Sequence, residues 1–130
     1  MNLKSTLILL LLIVPFFASA QYKGRYVKID DNTWQGTASY YHNKFNGRKT
    51  ANGEIFSNSK MTAANNFLKL GTYVRATNLK NGKSVVVKIN DRMAKNNRRL
   101  IDMSKEAARR LGYVKSGLGK LKIEVIPNPE

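Results

Sequence analysis

Two alternating segments face each other across a glycine turn near the middle of the chain, and they restrict the fold more than any other feature. From Thr72 to Leu79, Val74 and Ala76 fall on one face and Tyr73, Arg75 and Thr77 on the other, the period of two expected of a half-buried strand. Ser84 to Asn90 returns with Val85, Val87 and Ile89 on a shared face, and Val86 opposite them makes this strand largely buried. Asn81-Gly82 lies between the two, and its tolerance of positive φ predicts a tight primed turn. Further extended segments are predicted over Trp34 to Tyr41, around Met61 to Ala64, over Arg99 to Met103, and from Leu121 to Ile126, which Pro127 ends. His42 to Gly53 reads as a loop, punctuated by Asn46-Gly47 and Asn52-Gly53. A single short helix is expected from Ser104 as its cap to Leu111, with Glu106 in the first turn, Arg109 and Arg110 in the last, and Gly112 as its stop. About six short strands in a small domain favour a barrel, because closure removes exposed sheet edges.

The chain of 130 residues contains no cysteine and one histidine, His42. A disulfide framework, a thiolate zinc site and a cysteine nucleophile are therefore excluded. A His-rich metal site is excluded too, and a Ser-His-Asp triad would have to run through His42. Neither cofactor nor metal is expected. Lys4, the apolar run from Leu7 to Val14 and the small residues Ala18-Ser19-Ala20 read as a cleavable signal peptide over residues 1–20. Its apolar stretch of about ten residues is too short to span roughly 30 Å of hydrocarbon. No cysteine follows it to carry a lipid, so the expected product is soluble, periplasmic or extracellular, and not a lipoprotein. Removing it leaves 110 residues with a formal charge of +14. Residues 21–32 show no periodicity and read as a partly disordered leader, 33–127 as the barrel domain and 128–130 as a tail.

Several blocks in fixed order carry a resemblance. They are Gly36-Thr37-Ala38-Ser39-Tyr40-Tyr41, Gly47-Arg48-Lys49-Thr50-Ala51-Asn52-Gly53-Glu54, Thr62-Ala63-Ala64, Leu70-Gly71-Thr72, Val74 to Leu79, Asn81 to Val87, Ile89-Asn90-Asp91-Arg92 and Ile101-Asp102-Met103-Ser104. In this order they resemble the RlpA family of double-psi β-barrels, from about Trp34 to Ile126. The resemblance implies a mainly all-β, six-stranded double-psi β-barrel with one or two short helices and a groove for glycan strands. It also implies lytic transglycosylase activity on peptidoglycan, which cleaves the MurNAc–GlcNAc bond without water and leaves a 1,6-anhydro end. Expansin-like proteins share this barrel and loosen polysaccharide without clear hydrolysis, so a non-catalytic wall-glycan binder is the alternative.

Breaking a glycosidic bond requires an acid for the departing oxygen and stabilisation of an oxocarbenium-like centre. In a lytic transglycosylase one carboxyl can serve as acid and then base, because the sugar's own C6 hydroxyl is the nucleophile. Asp91 is the first candidate, since it ends a buried strand at the rim. A carboxyl acting as an acid near neutral pH must keep its proton well above the reference of about 3.9. Burial would favour that, and contact with the Arg92 guanidinium would oppose it. Glu54, projecting after the Asn52-Gly53 turn, is the second catalytic candidate. Asn65, Tyr41, Arg92 and Thr62 are the expected substrate-binding residues. Tyr40 and Tyr41 are neighbours on a strand, so at most one can line the groove at that level; Trp34 and Tyr73 are further aromatic candidates. Asp102 is expected to support the helix start.

Two departures from the family pattern stand out. Many relatives read Thr-Ala-Ala-His where this chain has Thr62-Ala63-Ala64-Asn65, and asparagine cannot take a proton. Relatives usually continue Gly-Pro-Phe after Asp-Arg, whereas Met93-Ala94-Lys95 follows here. His42 reads as a surface residue rather than a substitute. The basic surplus, with Arg92, Lys95, Arg98 and Arg99 in one loop, predicts attraction to wall carboxylates or phosphates. The expected partners are peptidoglycan glycan strands, approached by a monomer that inserts into no membrane. Nucleic acid is disfavoured, because the signal peptide leads away from it and no recognition motif for it is visible.

Overall fold

The computed structural model describes residues 25–130. The predicted signal peptide, 1–20, lies outside the described residues, as does the start of the predicted leader. Seven strands and one α-helix follow in the order β1 (Tyr26–Asp30), β2 (Thr33–Tyr40), a 3-10 turn (Asn43–Phe45), β3 (Thr62–Ala64), β4 (Tyr73–Asn78), β5 (Ser84–Asp91), β6 (Ile101–Met103), α1 (Lys105–Leu111) and β7 (Gly119–Ile126). Six strands close a ring in the order β2-β6-β3-β5-β4-β7, with β7 returning to β2. The pairs β2–β6 and β3–β5 are parallel and the rest antiparallel. The expected six-stranded double-psi barrel with a single short helix is therefore the architecture observed.

The expected alternation reappears as burial. Val74, Ala76, Val87, Ile89, Leu121 and Ile123 point inward, while Arg75 is exposed. A ring of six strands encloses less space than the eight that just accommodate side chains. Small residues, Ala38, Ala63 and Ala76, accordingly stand among its fully buried positions. Helix α1 adds Ala107, Ala108 and Leu111 to the same core. Ser104 caps it by accepting from the Ala107 N–H, and it stops at Gly112, φ 84°. Each large aliphatic side chain so buried stabilises the fold by about 1.5–3 kcal/mol.

Two expectations are corrected. The leader is not without structure at its end, because β1 pairs antiparallel with β2 in the register Tyr26↔Gly36 and Lys28↔Trp34. Strands β1 and β6 share one edge of β2, β1 alongside residues 33–36 and β6 alongside 38–40. Nor is the β4–β5 connection a primed two-residue turn. Only Gly82 takes positive φ, 78°, whereas a type I′ turn needs two such residues in succession. Instead Gly82 N–H donates to the Asn78 carbonyl and Asn78 N–H to the Lys83 carbonyl, a wider loop. Among the described residues no helix is long and apolar enough to cross a membrane.

Candidate active site at the end of β5

Strand β5 reaches the barrel rim through an irregularity. Ala63 pairs with Ile89 and Ala64 with Asp91, so Asn90 has no partner on β3. Such a bulge re-aims the residues that follow it. Asn90 uses the freed position to hold the 50–54 loop: its side-chain amide donates to Glu54 Oε1 at 3.1 Å and its carbonyl accepts from Asn52 N–H at 3.2 Å. Within that loop Asn52 Oδ1 accepts from Thr50 Oγ1 (2.7 Å) and from Glu54 N–H (3.1 Å). The folded loop thereby delivers the Ala51 N–H to Asp91.

Asp91 accepts three hydrogen bonds. Its Oδ1 takes the N–H groups of Ala51 and of Arg92, each at 2.9 Å, and its Oδ2 takes the Tyr41 hydroxyl at 2.6 Å. Two bonds occupy both lone-pair directions of Oδ1, while Oδ2 keeps one open. The opposing contact with the Arg92 guanidinium is not made. That group turns away, and its Nη1 donates to the carbonyls of Asn65 (2.7 Å) and Leu68 (2.6 Å). Among the described residues no cationic side chain forms an ion pair with Asp91.

Tyr41 does not offer a free ring to a ligand as expected. It stacks on Phe56 at 4.2 Å and meets Phe45 edge-on at 5.8 Å. Burial, followed by the bond to Asp91, pushes its hydroxyl well above the usual phenol range, so it remains a donor. Its neighbour Tyr40 points the other way and donates to the Val114 carbonyl, as adjacent strand positions require.

Glu54 is an anion rather than an acid. Its Oε2 lies 2.5 Å from Lys88 Nζ, and that bond, then the one from Asn90, lowers its pKa to about 2. In that state it has no proton to donate near neutral pH. It lines an open polar cleft of about 580 Å³ together with Lys60, Thr62, Lys88 and Asn90. Thr62 is thus brought to the cleft. Lys88 and Asn90, which hold Glu54, had no warning in sequence beyond a lysine on an otherwise apolar strand and an amide beside the candidate acid.

Asn65 is a further correction. It is wholly buried, its Nδ2 donates to the Leu100 carbonyl at 2.8 Å, and its Oδ1 accepts from the N–H groups of Phe67 (2.9 Å) and Leu68 (2.7 Å). It orders a loop, with its side-chain amide spent on backbone. His42 is exposed and caps the 3-10 turn by accepting from Lys44 N–H. Asp102 is structural in a different way from that expected: Arg99 grips it with two bonds of 2.8 and 2.9 Å, while Ser104 caps the helix. Trp34 packs at the edge of the core against Phe67, and Tyr73 is half-buried on β4 opposite Lys88. Among the described residues no three His, Cys, Asp or Glu side chains gather where a metal ion could be held.

A family model described as lytic transglycolase matches residues 33–123. The chain belongs to this RlpA-like double-psi β-barrel family. Curated relatives named endolytic peptidoglycan transglycosylase RlpA include those of Pseudomonas aeruginosa, 52% identical over 91 residues, and Pasteurella multocida, 50% identical over 91 residues. Each alignment covers 70% of this chain, but only 27% and 31% of those relatives. The chain thus spans well under half the length of the curated relatives it matches. Among solved structures, the Streptomyces papain inhibitor superposes with a TM-score of 0.62 at 18% identity, over 78% of this chain and all of that one. An expansin from Clavibacter michiganensis, solved with cellohexaose, gives 0.61 at 21% identity, over 75% of this chain and 52% of that one. These two likenesses concern the fold alone.

Proposed function

We propose that this RlpA-like chain is an endolytic peptidoglycan transglycosylase, acting as a monomer outside the cytoplasmic membrane once its signal peptide is removed. Asp91 is its acid and base. The observation that carries this reading is the setting of Asp91: a rim carboxyl with Oδ1 fully bonded and Oδ2, which accepts from Tyr41, keeping one lone-pair direction open, next along β5 from a polar cleft. Protonated at Oδ2, it gives its proton to the oxygen linking MurNAc to GlcNAc as the C1–O bond breaks. The carboxylate so formed takes the proton of the MurNAc C6 hydroxyl, whose oxygen bonds to C1. One bond breaks and one forms, the proton returns to Asp91, no water is consumed, and a 1,6-anhydro end remains. Tyr41 positions Oδ2, and Thr62 and Lys60 supply hydrogen bonds to sugar hydroxyls along the cleft.

Asn65 favours a second reading, a non-catalytic wall-glycan binder on the same barrel. At this position, where the family resemblance implies histidine, its side chain is spent on backbone, so Asp91 gains no titrating partner there. The two readings separate when purified glycan strands, with and without stem peptides, are incubated with the protein and the products weighed by mass spectrometry. Anhydro-muropeptides are expected from the unaltered chain. Asp91→Asn should lower their release by about 10²–10⁴-fold, the usual contribution of a general acid. Retention on sacculi with no released product would leave only the binder.

A further inference from the structure

We propose a second glycan-contact surface, an aromatic platform of Tyr26, Phe67 and Trp34 with a cationic rim of Arg25, Lys95 and Arg98, which docks an anionic polysaccharide strand. Phe67 is the centre. Tyr26 stacks on it at 5.0 Å with ring planes 29° apart, and Trp34 meets it at 5.1 Å, tilted by 52°. Tyr26 is 41% and Phe67 38% exposed, so these two rings form a surface, and partly buried Trp34 joins it to the edge of the core. Clustered apolar groups of this kind on a soluble protein mark contact sites. Flat rings suit the apolar faces of pyranoses.

The platform is built, not incidental. Phe67 stands on the loop that Asn65 orders from within and Arg92 clamps from outside. Both residues therefore hold the loop that carries this surface. Tyr26 is seated over Gly36, where even a Cβ would come within 2.7 Å of the Tyr26 Cβ. Strand β1, which brings Tyr26, precedes the family's matched segment, residues 33–123.

Charge selects the occupant. Beside Tyr26 lies an open hollow of about 520 Å³ lined by Arg25, Lys95, Asn96, Asn97 and Arg98, with no carboxylate in its wall. Arg25, Lys95 and Arg98 are exposed, and none has a carboxylate partner among the described residues. Rings for sugar faces beside cations for carboxylates fit a glycan strand that bears acidic stem peptides. This inference rests on reading the chain as a protein of wall glycan, but not on turnover.

Trp34 is the single tryptophan and reports on the surface directly. The test titrates the full chain carrying Asp91→Asn with soluble peptidoglycan strands that retain their stem peptides, following tryptophan emission. A saturable change is expected. Phe67→Ala with Tyr26→Ala should weaken the apparent affinity about tenfold, whereas Phe67→Tyr, which keeps the ring, should not. Lys95→Glu with Arg98→Glu touches no packed group and so decides the matter even if the aromatic variant melts early; it should weaken binding to a similar degree. Strands stripped of stem peptides should bind less tightly than intact ones. An emission that never responds, or an affinity unmoved by the charge reversal, overturns the proposal. Product release is measured separately with Asp91 intact. Release without a tryptophan response would sink the platform and spare the enzyme, and a response without release would do the reverse.

Discussion

Asn65 spends three hydrogen bonds on the backbone around it, and Glu54 is held by two neighbours on β5. Both facts predict measurable consequences. Asn65→Ala would strand the Leu100 carbonyl and two N–H groups, of Phe67 and Leu68, in or near the interior. An unsatisfied buried group costs about 1–3 kcal/mol. With partial rescue by water, the variant should lose about 2–4 kcal/mol in urea unfolding. A residue that merely touched sugar would change stability by less than about 0.5 kcal/mol, and that result would return Asn65 to the groove. For Glu54 the folded pKa of about 2 lies below the ordinary carboxylate value of 4.5, chiefly because Lys88 donates to it. Its contribution to stability is thus complete above pH 4.5 and disappears as pH falls through 2. Glu106, lowered to about 2 by Arg109 and then Arg110, adds to the same window. Unfolding free energy measured across that window should fall toward acid, and Glu54→Gln should flatten part of the slope. An unchanged slope would mean that the Lys88 pair, half open to water, contributes nothing.

Strand β1 pairs with β2 and approaches it most closely at Gly36. At Gly36 an added Cβ would lie 2.7 Å from the Tyr26 Cβ and 2.9 Å from the Leu100 Cβ. Gly36→Ala should therefore destabilise by about 1–3 kcal/mol, as overpacking does. Tyr26→Gly in the same chain should recover part of that loss by removing the nearest of the three crowding atoms, the Tyr26 Cβ, a coupling visible in a double-mutant cycle. Additive losses would show that β1 does not press on Gly36. The same strand marks where legibility in sequence ended. Strands β4, β5 and β7 were readable because one face of each is buried, so apolar residues recur at every second position. Helix α1 was readable from its cap, its charges and its terminal glycine. Strand β1 sends only Val27 toward partial burial, so it has no alternation to read and is recognisable only once Gly36 is opposite it. Asp91 could be located from the blocks around it. Its hydrogen-bond partners could not, because Tyr41 and Ala51 lie 50 and 40 residues away. The burial of Asn65 was equally hidden, since a polar residue in a loop reads as surface until the carbonyl it must satisfy, 35 residues on, is known.

For the whole molecule the dominant quantity is the formal charge of +15. Six ion pairs occur among the described residues, and they use the acidic side chains far more fully than the basic ones. The surplus cations therefore face solvent, where their field reaches about a Debye length, roughly 14 Å at 0.05 M salt and about 4 Å at 0.5 M. A wall bearing carboxylates or phosphates would concentrate such a molecule before any specific contact forms. Retention on purified sacculi should consequently fall at least about tenfold between those two salt concentrations. Asp91→Asn should follow the same curve, because it changes the charge by one unit in fifteen and leaves the surface cations in place. Release of product from short, soluble, peptide-free glycans should vary much less over the same range, since proton transfer at Oδ2 occurs within contact distance and needs no long-range capture. If both readouts collapsed together, salt would be acting on the site itself. If neither moved, the surplus charge would have no part in holding the protein to the wall.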